Sequence, residues 1–314
     1  MSQLVKLSQT PWERFVSLVA ISVLTCFTVV ACQVGSGDQA TDNVIRVGSK
    51  DFTEQFILGE LYAQLLEDQD LAVERKFNLG GAPIAQAGLV KGDIDLYPEY
   101  TGTALLTILK EPSNTNPQQV FDTVAKAYEN NFNLVWLNPA PMNNTQALVV
   151  TTDTAKKYQL ETISDFAKQA QKLRMIGPPE FEAREDGLPG LQSAYGAFKL
   201  KDYIATDPGL RYQALQSGQA EIAVGFGTDG EIDALNLVVL KDDQGLFPPY
   251  QVAPVVRQPV LEAYAKVKGT LNALAPKLTD ETMRRLNYEV SGNRQEPRTV
   301  AQQFLQETGL ISPT

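Results

Sequence analysis

The 314 residues carry 27 Lys and Arg against 37 Asp and Glu, a formal net charge of −10, which disfavours a phosphate backbone as a partner. There is no histidine, so Ser-His-Asp and Cys-His catalysis, imidazole acid–base chemistry and imidazole metal ligands are all excluded. The two cysteines, Cys26 and Cys32, both lie near the N-terminus, so no core disulfide, thiolate zinc site or catalytic thiol is expected. An enzyme would have to rely on carboxylates, Lys, Ser, Thr or Tyr; the expectation is a protein that is not an enzyme and carries no metal or cofactor.

In chain order, the first feature is an uncharged run from Phe15 to Ala31 with Lys6 and Arg14 ahead of it. It is short for a membrane-spanning helix and fits a secretory leader. It ends Val29-Val30-Ala31-Cys32, which resembles a bacterial lipobox. Residues 1–31 are therefore expected to be a lipoprotein signal peptide and Cys32 the lipidated residue, anchoring an extracytoplasmic protein on the periplasmic side of its membrane. A retained signal-anchor helix is the alternative. The polar, Gly- and Ser-containing stretch 32–43 reads as a flexible tether.

From Asn43 onward short apolar strands alternate with amphipathic helices, the pattern of an α/β protein with largely parallel sheets. Val44–Gly48 is the first expected strand. Asp51 and Glu54 have N-cap and N3 spacing for a helix whose inner face is Ile57, Leu58, Leu61 and Leu65. Val73, Phe77 and Leu79 suggest the second strand. Two segments then echo each other, Gly92–Tyr100 and Gly218–Phe226. Each has an acid three residues after the Gly (Asp95, Glu221), an apolar strand, an aromatic eight residues after it, and a Thr/Gly-rich turn. Ligands of α/β sheets bind beyond the carboxyl ends of strands, so two such strands would line one cleft; generic strand-turn-helix grammar is the other explanation. Near the end, Tyr264, Val267, Leu271 and Leu274 form a helical stripe, and Thr299 with Gln302 has capping-box spacing.

Gly225–Gly230 is a literal G-x-G-x-x-G after an expected strand, so a dinucleotide-binding enzyme is an alternative reading. The helix that follows, Glu231 to Asn236, is too short for an ordinary crossover. Asp93, Asp95 and Glu99 have period-two spacing but are too sparse for a calcium loop and read as structural carboxylates. Four loops place aromatic or polar groups off any periodic face: Tyr100–Thr103, Asn143–Gln146, Phe226–Asp229 and Phe247–Tyr250. Two prolines before Tyr250 stiffen its presentation. Arg184 follows the rigid Gly177-Pro178-Pro179 turn, a place from which it would reach a cleft edge.

These loops carry a family resemblance. Gly48-Ser49-Lys50-Asp51-Phe52-Thr53-Glu54-Gln55, Glu99-Tyr100-Thr101-Gly102-Thr103, Asp186-Gly187-Leu188-Pro189, Phe247-Pro248-Pro249-Tyr250 and Leu286-Asn287-Tyr288 occur in order. From Val44 to about Leu310 the chain resembles the osmoprotectant-binding proteins of betaine/choline ABC importers. The resemblance implies a two-lobed type II periplasmic-binding-protein fold with two hinge crossings. Lobe 1 would take 44–146 plus 252–314 and lobe 2 147–251. It implies a monomer that captures a quaternary-ammonium solute, glycine betaine or a related betaine, for an ABC permease with a separate ATPase. A different polar solute is the other possibility. Residue by residue, Tyr100 and Tyr250 match aromatic-cage positions, Phe226 stands where the family has Tyr, and Gln146 where many relatives have another cage Tyr. Arg184 matches the residue that clamps the ligand carboxylate, with Lys50 and Thr103 as helpers, and Glu180 a polar residue that orients the cation or a lobe contact.

Overall fold

The structure, a computed structural model, describes residues 44–312. The leader, Cys32 and the tether therefore lie outside the described residues.

Ten strands form two five-stranded sheets. They are β1 (Val44–Gly48), β2 (Ala72–Lys76), β3 (Leu96–Tyr100), β4 (Leu134–Trp136), β5 (Gln146–Thr151), β6 (Arg174–Gly177), β7 (Asp202–Ala205), β8 (Ile222–Phe226), β9 (Leu237–Val239) and β10 (Val252–Arg257). The first sheet has the order β2-β1-β3-β10-β4 and the second β7-β6-β8-β5-β9. The chain crosses between the sheets twice, after β4 and after β9, so each sheet receives one strand directly from a crossing. Those two strands, β5 and β10, run against their neighbours, while β1, β2 and β3 are mutually parallel, as are β6, β7 and β8.

The sheets are built to one plan. β3 and β8 are each the middle strand, flanked by a parallel strand on one side and the antiparallel crossing strand on the other. Both follow a helix that stops at a glycine with positive φ, Gly92 at 85° and Gly218 at 73°, a backbone that only glycine adopts without strain. The acid three residues later then clasps an arginine on the neighbouring strand. Asp95 accepts the Arg46 backbone N–H at 2.9 Å and Glu221 that of Arg174 at 2.8 Å. In both cases the guanidinium also reaches the glycine carbonyl, Arg46 to Gly92 at 3.4 Å and Arg174 to Gly218 at 2.8 Å. The echo in the sequence is a structural repeat.

Apolar side chains cover both faces of each sheet. On the first, Ile57, Leu58, Leu61 and Leu65 of the helix Thr53–Glu67 pack with Val300, Phe304 and Leu305 of the helix Pro297–Glu307. Each fully buried aliphatic side chain of this kind stabilises the fold by about 1.5–3 kcal/mol. Leu89, Val120, Val124 and Tyr128 cover the other face.

Several local expectations shift. The helix expected at Asp51 starts at Thr53 with Phe52 at its N-cap and no side-chain cap, because Glu54 turns inward to hydrogen-bond partners described below. β2 stops at Lys76, since Asn78 and Gly80 take positive φ. Thr299 lies in the first turn of a helix that begins at Pro297, whose fixed φ and missing N–H suit that start.

Candidate ligand-binding site

The C-terminal ends of β3 and β8 and the two crossings carry Tyr100, Thr103, Phe226, Gln146 and Tyr250, while Lys50 follows β1 and Glu180 and Arg184 follow β6. Tyr100 closes β3 opposite Val252 of β10. The next residue, Thr101, donates its hydroxyl to the Pro249 carbonyl at 2.8 Å, and the Tyr250 ring lies against the Cα of Gly102 so closely that a Cβ there would strike it. Thr103, one residue on, is half-buried. Gln146 opens β5 directly opposite Phe226 on β8.

Asp186 is where three of these residues meet. Its Oδ1 accepts Arg184 Nε at 2.7 Å, and its Oδ2 accepts Arg184 Nη2 at 2.5 Å, the Tyr250 hydroxyl at 2.8 Å and Gln146 Nε2 at 3.0 Å. Burial pushes the Asp186 carboxyl up, but the hydrogen bonds and charge of Arg184, with Tyr250 and Gln146, outweigh it and hold it below the usual carboxylate range. Tyr250 moves the opposite way: burial and the adjacent Asp186 charge push its hydroxyl well above its ordinary value, so it stays a donor. Glu180 does not join this group. Its side chain is exposed on the short helix Pro179–Glu182, and it contributes its carbonyl, which accepts the Arg184 N–H at 3.0 Å.

Lys50 stands over Tyr100, its ammonium 4.5 Å from the ring centroid. It is 4% exposed and pairs with Glu99 at 2.6 Å. Glu99 also accepts the Tyr97 hydroxyl at 2.8 Å and the Tyr100 N–H at 2.7 Å. At the second sheet, the Arg211 guanidinium lies 5.7 Å from the Phe226 ring and pairs with Asp229 at 2.5 Å. Asp229 also accepts the Phe226 N–H at 2.8 Å and the Tyr212 hydroxyl at 2.6 Å.

Among the described residues, Glu54 is a buried carboxylate with no ion-pair partner. It accepts the Tyr100 hydroxyl at 2.7 Å, Asn144 Nδ2 at 2.6 Å and Asn287 Nδ2 at 2.7 Å. All three are neutral donors, and burial raises the carboxyl above its ordinary 4.5. Asn287 also donates to the Thr228 carbonyl at 2.7 Å, and Arg284 to that of Gly227 at 2.8 Å, so the helix Asp280–Ser291 ties the turn after β8 to Glu54 on the helix Thr53–Glu67.

The sequence reading missed Asp186 and Glu54 as site residues. Asp186 opens the Asp186-Gly187-Leu188-Pro189 motif two positions from Arg184, and Glu54 has the spacing of a helix-capping acid. The G-x-G-x-x-G turn is filled by protein. A Cβ on Gly225 would meet the Tyr212 hydroxyl, on Gly227 the Asn143 carbonyl, and on Gly230 the backbone of Arg284. The strand after the turn, β9, joins the far edge of β5 in place of a crossover parallel to β8. Asp95 and Glu99 are used by Arg46, Arg257 and Lys50, and no group of His, Cys, Asp and Glu among the described residues could hold a metal ion. A hollow of about 580 Å³ flanked by Arg46, Lys76 and Lys91 contains none of the candidate residues.

Residues 43–307 match the family model described as the substrate-binding domain of an ABC-type glycine betaine transport system. The chain belongs to this family. It is 34% identical over 299 residues to the carnitine transport binding protein OpuCC of Listeria monocytogenes, covering 94% of this chain and 97% of that one. It is 39% identical over 265 residues to the ergothioneine transport permease/ergothioneine binding protein EgtU of Helicobacter pylori. That match takes in 84% of this chain but 47% of the relative, so the chain spans about half of that longer protein. A crystal structure described as a glycine betaine/carnitine/choline ABC transporter superposes with a TM-score of 0.77 at 32% identity, covering 85% of this chain and 99% of the other. The fold is accordingly that of a two-lobed type II periplasmic-binding protein, and the family is one of binding domains and not of enzymes.

Proposed function

We propose that this protein captures a quaternary-ammonium osmolyte, glycine betaine or a related betaine, and hands it to an ABC permease driven by a separate ATPase. Lobe 1 comprises 44–146 and 252–314, lobe 2 147–251, and the solute binds between them. A trimethylammonium has no N–H and cannot be held by ordinary hydrogen bonds. It is favoured by aromatic faces, at about 2 kcal/mol or more per desolvated contact. Tyr100, Phe226 and Tyr250 supply such faces, with Gln146 as an amide wall, and the Glu54 carboxyl holds the Tyr100 ring in place through its hydroxyl. Arg184 receives the solute's carboxylate, with Lys50, Thr103 and Glu180 shaping the surroundings.

The observation that carries this reading is the convergence of Arg184, Tyr250 and Gln146 on one carboxylate oxygen within a contact chain that includes the aromatic strand ends. Anion donors beside aromatic faces are the two elements a betaine requires. A bulkier betaine is the second reading. It is favoured by the 39% identity to a relative whose name specifies ergothioneine, and by Gln146 and Phe226, which depart from an all-tyrosine cage.

Titration calorimetry of the purified protein with glycine betaine, carnitine, ergothioneine, choline and NAD tests the proposal. Saturable binding of at least one quaternary-ammonium solute, and none of NAD, is expected; silence towards all four such solutes sinks it. We also place the protein outside the cytoplasm as a monomer, held to its membrane by lipid on Cys32 after removal of residues 1–31. Mass spectrometry of the mature N-terminus checks the anchor: an unmodified Cys32 would remove it.

A further inference from the structure

We propose that Asp186 is a built-in stand-in for the solute's carboxylate: a betaine binds by displacing it from Arg184, Tyr250 and Gln146, and this exchange sets how strongly zwitterions are preferred over plain cations. The inference rests on the reading of the site as one for quaternary-ammonium solutes.

Asp186 receives what a ligand carboxylate would need. Both of its oxygens lie on the Nε–Nη2 edge of one guanidinium, at 2.7 and 2.5 Å, and a phenol and an amide complete the shell of Oδ2. That edge is the planar fork that recognises carboxylates two bonds at a time. A second carboxylate cannot share it without bringing two anions into contact, which strongly disfavours both being charged. Recognition of a betaine by this edge of Arg184, where Tyr250 and Gln146 also donate, therefore requires Asp186 to leave.

The surroundings permit that departure. The Arg184 side chain is 39% exposed and the Asp186 side chain 11%, whereas the Lys50–Glu99 pair is sealed at 5% and 0%. An ion pair open to water on one side contributes little to the fold. Asp186 is two residues from Arg184, in the link between the short helix Pro179–Glu182 and the helix Leu188–Tyr195. The backbone there is fixed, since the Gly187 N–H donates to the Arg184 carbonyl at 3.0 Å and a Cβ on Gly187 would strike the Phe181 carbonyl. Rotation of one side chain is enough to vacate the fork, and no strand has to move. A solute with only a cationic end needs no such exchange. Asp186 thus weakens carboxylated solutes selectively and narrows their advantage.

The test compares glycine betaine with choline by calorimetry, first on the wild type and then on Asp186→Asn, with thermal melts to verify folding. The asparagine keeps the shape but gives up the charge that competes for Arg184. The ratio of the choline Kd to the betaine Kd should rise by about tenfold, the effect of one charge-assisted contact. An unchanged or lower ratio overturns the proposal and makes Asp186 a fixed part of the binding surface. Should the variant fail to fold, a structure of the wild type with glycine betaine decides. Arg184 on the solute's carboxylate with Asp186 turned away upholds the exchange, and Asp186 still on Arg184 overturns it. A wild type that binds neither glycine betaine, choline, carnitine nor ergothioneine removes the underlying reading itself, a failure visible before any variant is made.

Discussion

β3 and β8 begin alike and end differently. At their bases a left-handed glycine, an acid and an arginine on the neighbouring strand form the same clasp in both lobes. At their tips the lobes diverge. Tyr100 gives its hydroxyl to Glu54 and lies under the sealed ammonium of Lys50. Phe226 has no hydroxyl, stays half-buried, and faces the guanidinium of Arg211. The repeated base serves the sheet and leaves little to vary. The tips contact residues from other elements, so each can take a chemistry of its own without disturbing the strand beneath it.

The largest expected effect lies at the sealed tip. Glu99→Gln would strand the Lys50 ammonium, 4% exposed, without its countercharge. Removing one member of such a buried pair costs about 3–5 kcal/mol. Urea denaturation should show a loss of that size, and a loss under 1 kcal/mol would mean that the pair is not the fixed floor of the first lobe.

Arg184→Ala probes the open counterpart in the second lobe, and the two readouts should separate. The stability loss should stay below about 1 kcal/mol, because the pair with Asp186 is partly exposed. Affinity for glycine betaine should fall by about 30-fold, roughly 2 kcal/mol of charged hydrogen bonding. A variant that binds glycine betaine as well as the wild type does would remove Arg184 from the site.

What the sequence allowed one to read follows this division. The base was legible: Gly92 with Asp95 and Gly218 with Glu221 mark the clasp through local spacing alone, and the apolar face of Ile57, Leu58, Leu61 and Leu65 marks its helix. The α/β class, the two crossings and the aromatic strand ends followed from such local signals and from the resemblance. Partner choice at the tips was not legible. Tyr250 lies 64 residues from Asp186 and Asn287 lies 233 from Glu54. No local rule states which acid an arginine will take when a ligand and a side chain can both satisfy it. Local spacing thus leaves Arg184 open to a ligand and makes Glu54 a cap, whereas the fold buries Glu54 among the Tyr100, Asn144 and Asn287 donors.

The smallest effect tests the base. Burial pushes the Glu221 carboxyl up, but the Arg174 hydrogen bonds and charge outweigh it and hold the group below its ordinary 4.5. A carboxyl lowered on folding contributes stability that is present above the unfolded value and is lost as the pH falls through the folded one. With Arg174 31% and Glu221 18% exposed, Glu221→Gln should cost less than about 1 kcal/mol at pH 7. The gap between the variant and the wild type should close below pH 4.5. Asp95→Asn should cost at least as much at pH 7, because Asp95 is 8% exposed and serves both Arg46 at 3.7 Å and Arg257 at 3.3 Å. Thermal melts of both variants between pH 3 and 7 measure this. A Glu221→Gln gap that widens towards acid would have the wrong sign for a lowered carboxyl. A loss of several kcal/mol at that position would place the base of β8 among the structure's sealed pairs, and the contrast between uniform bases and divergent tips would then fail at its simpler end.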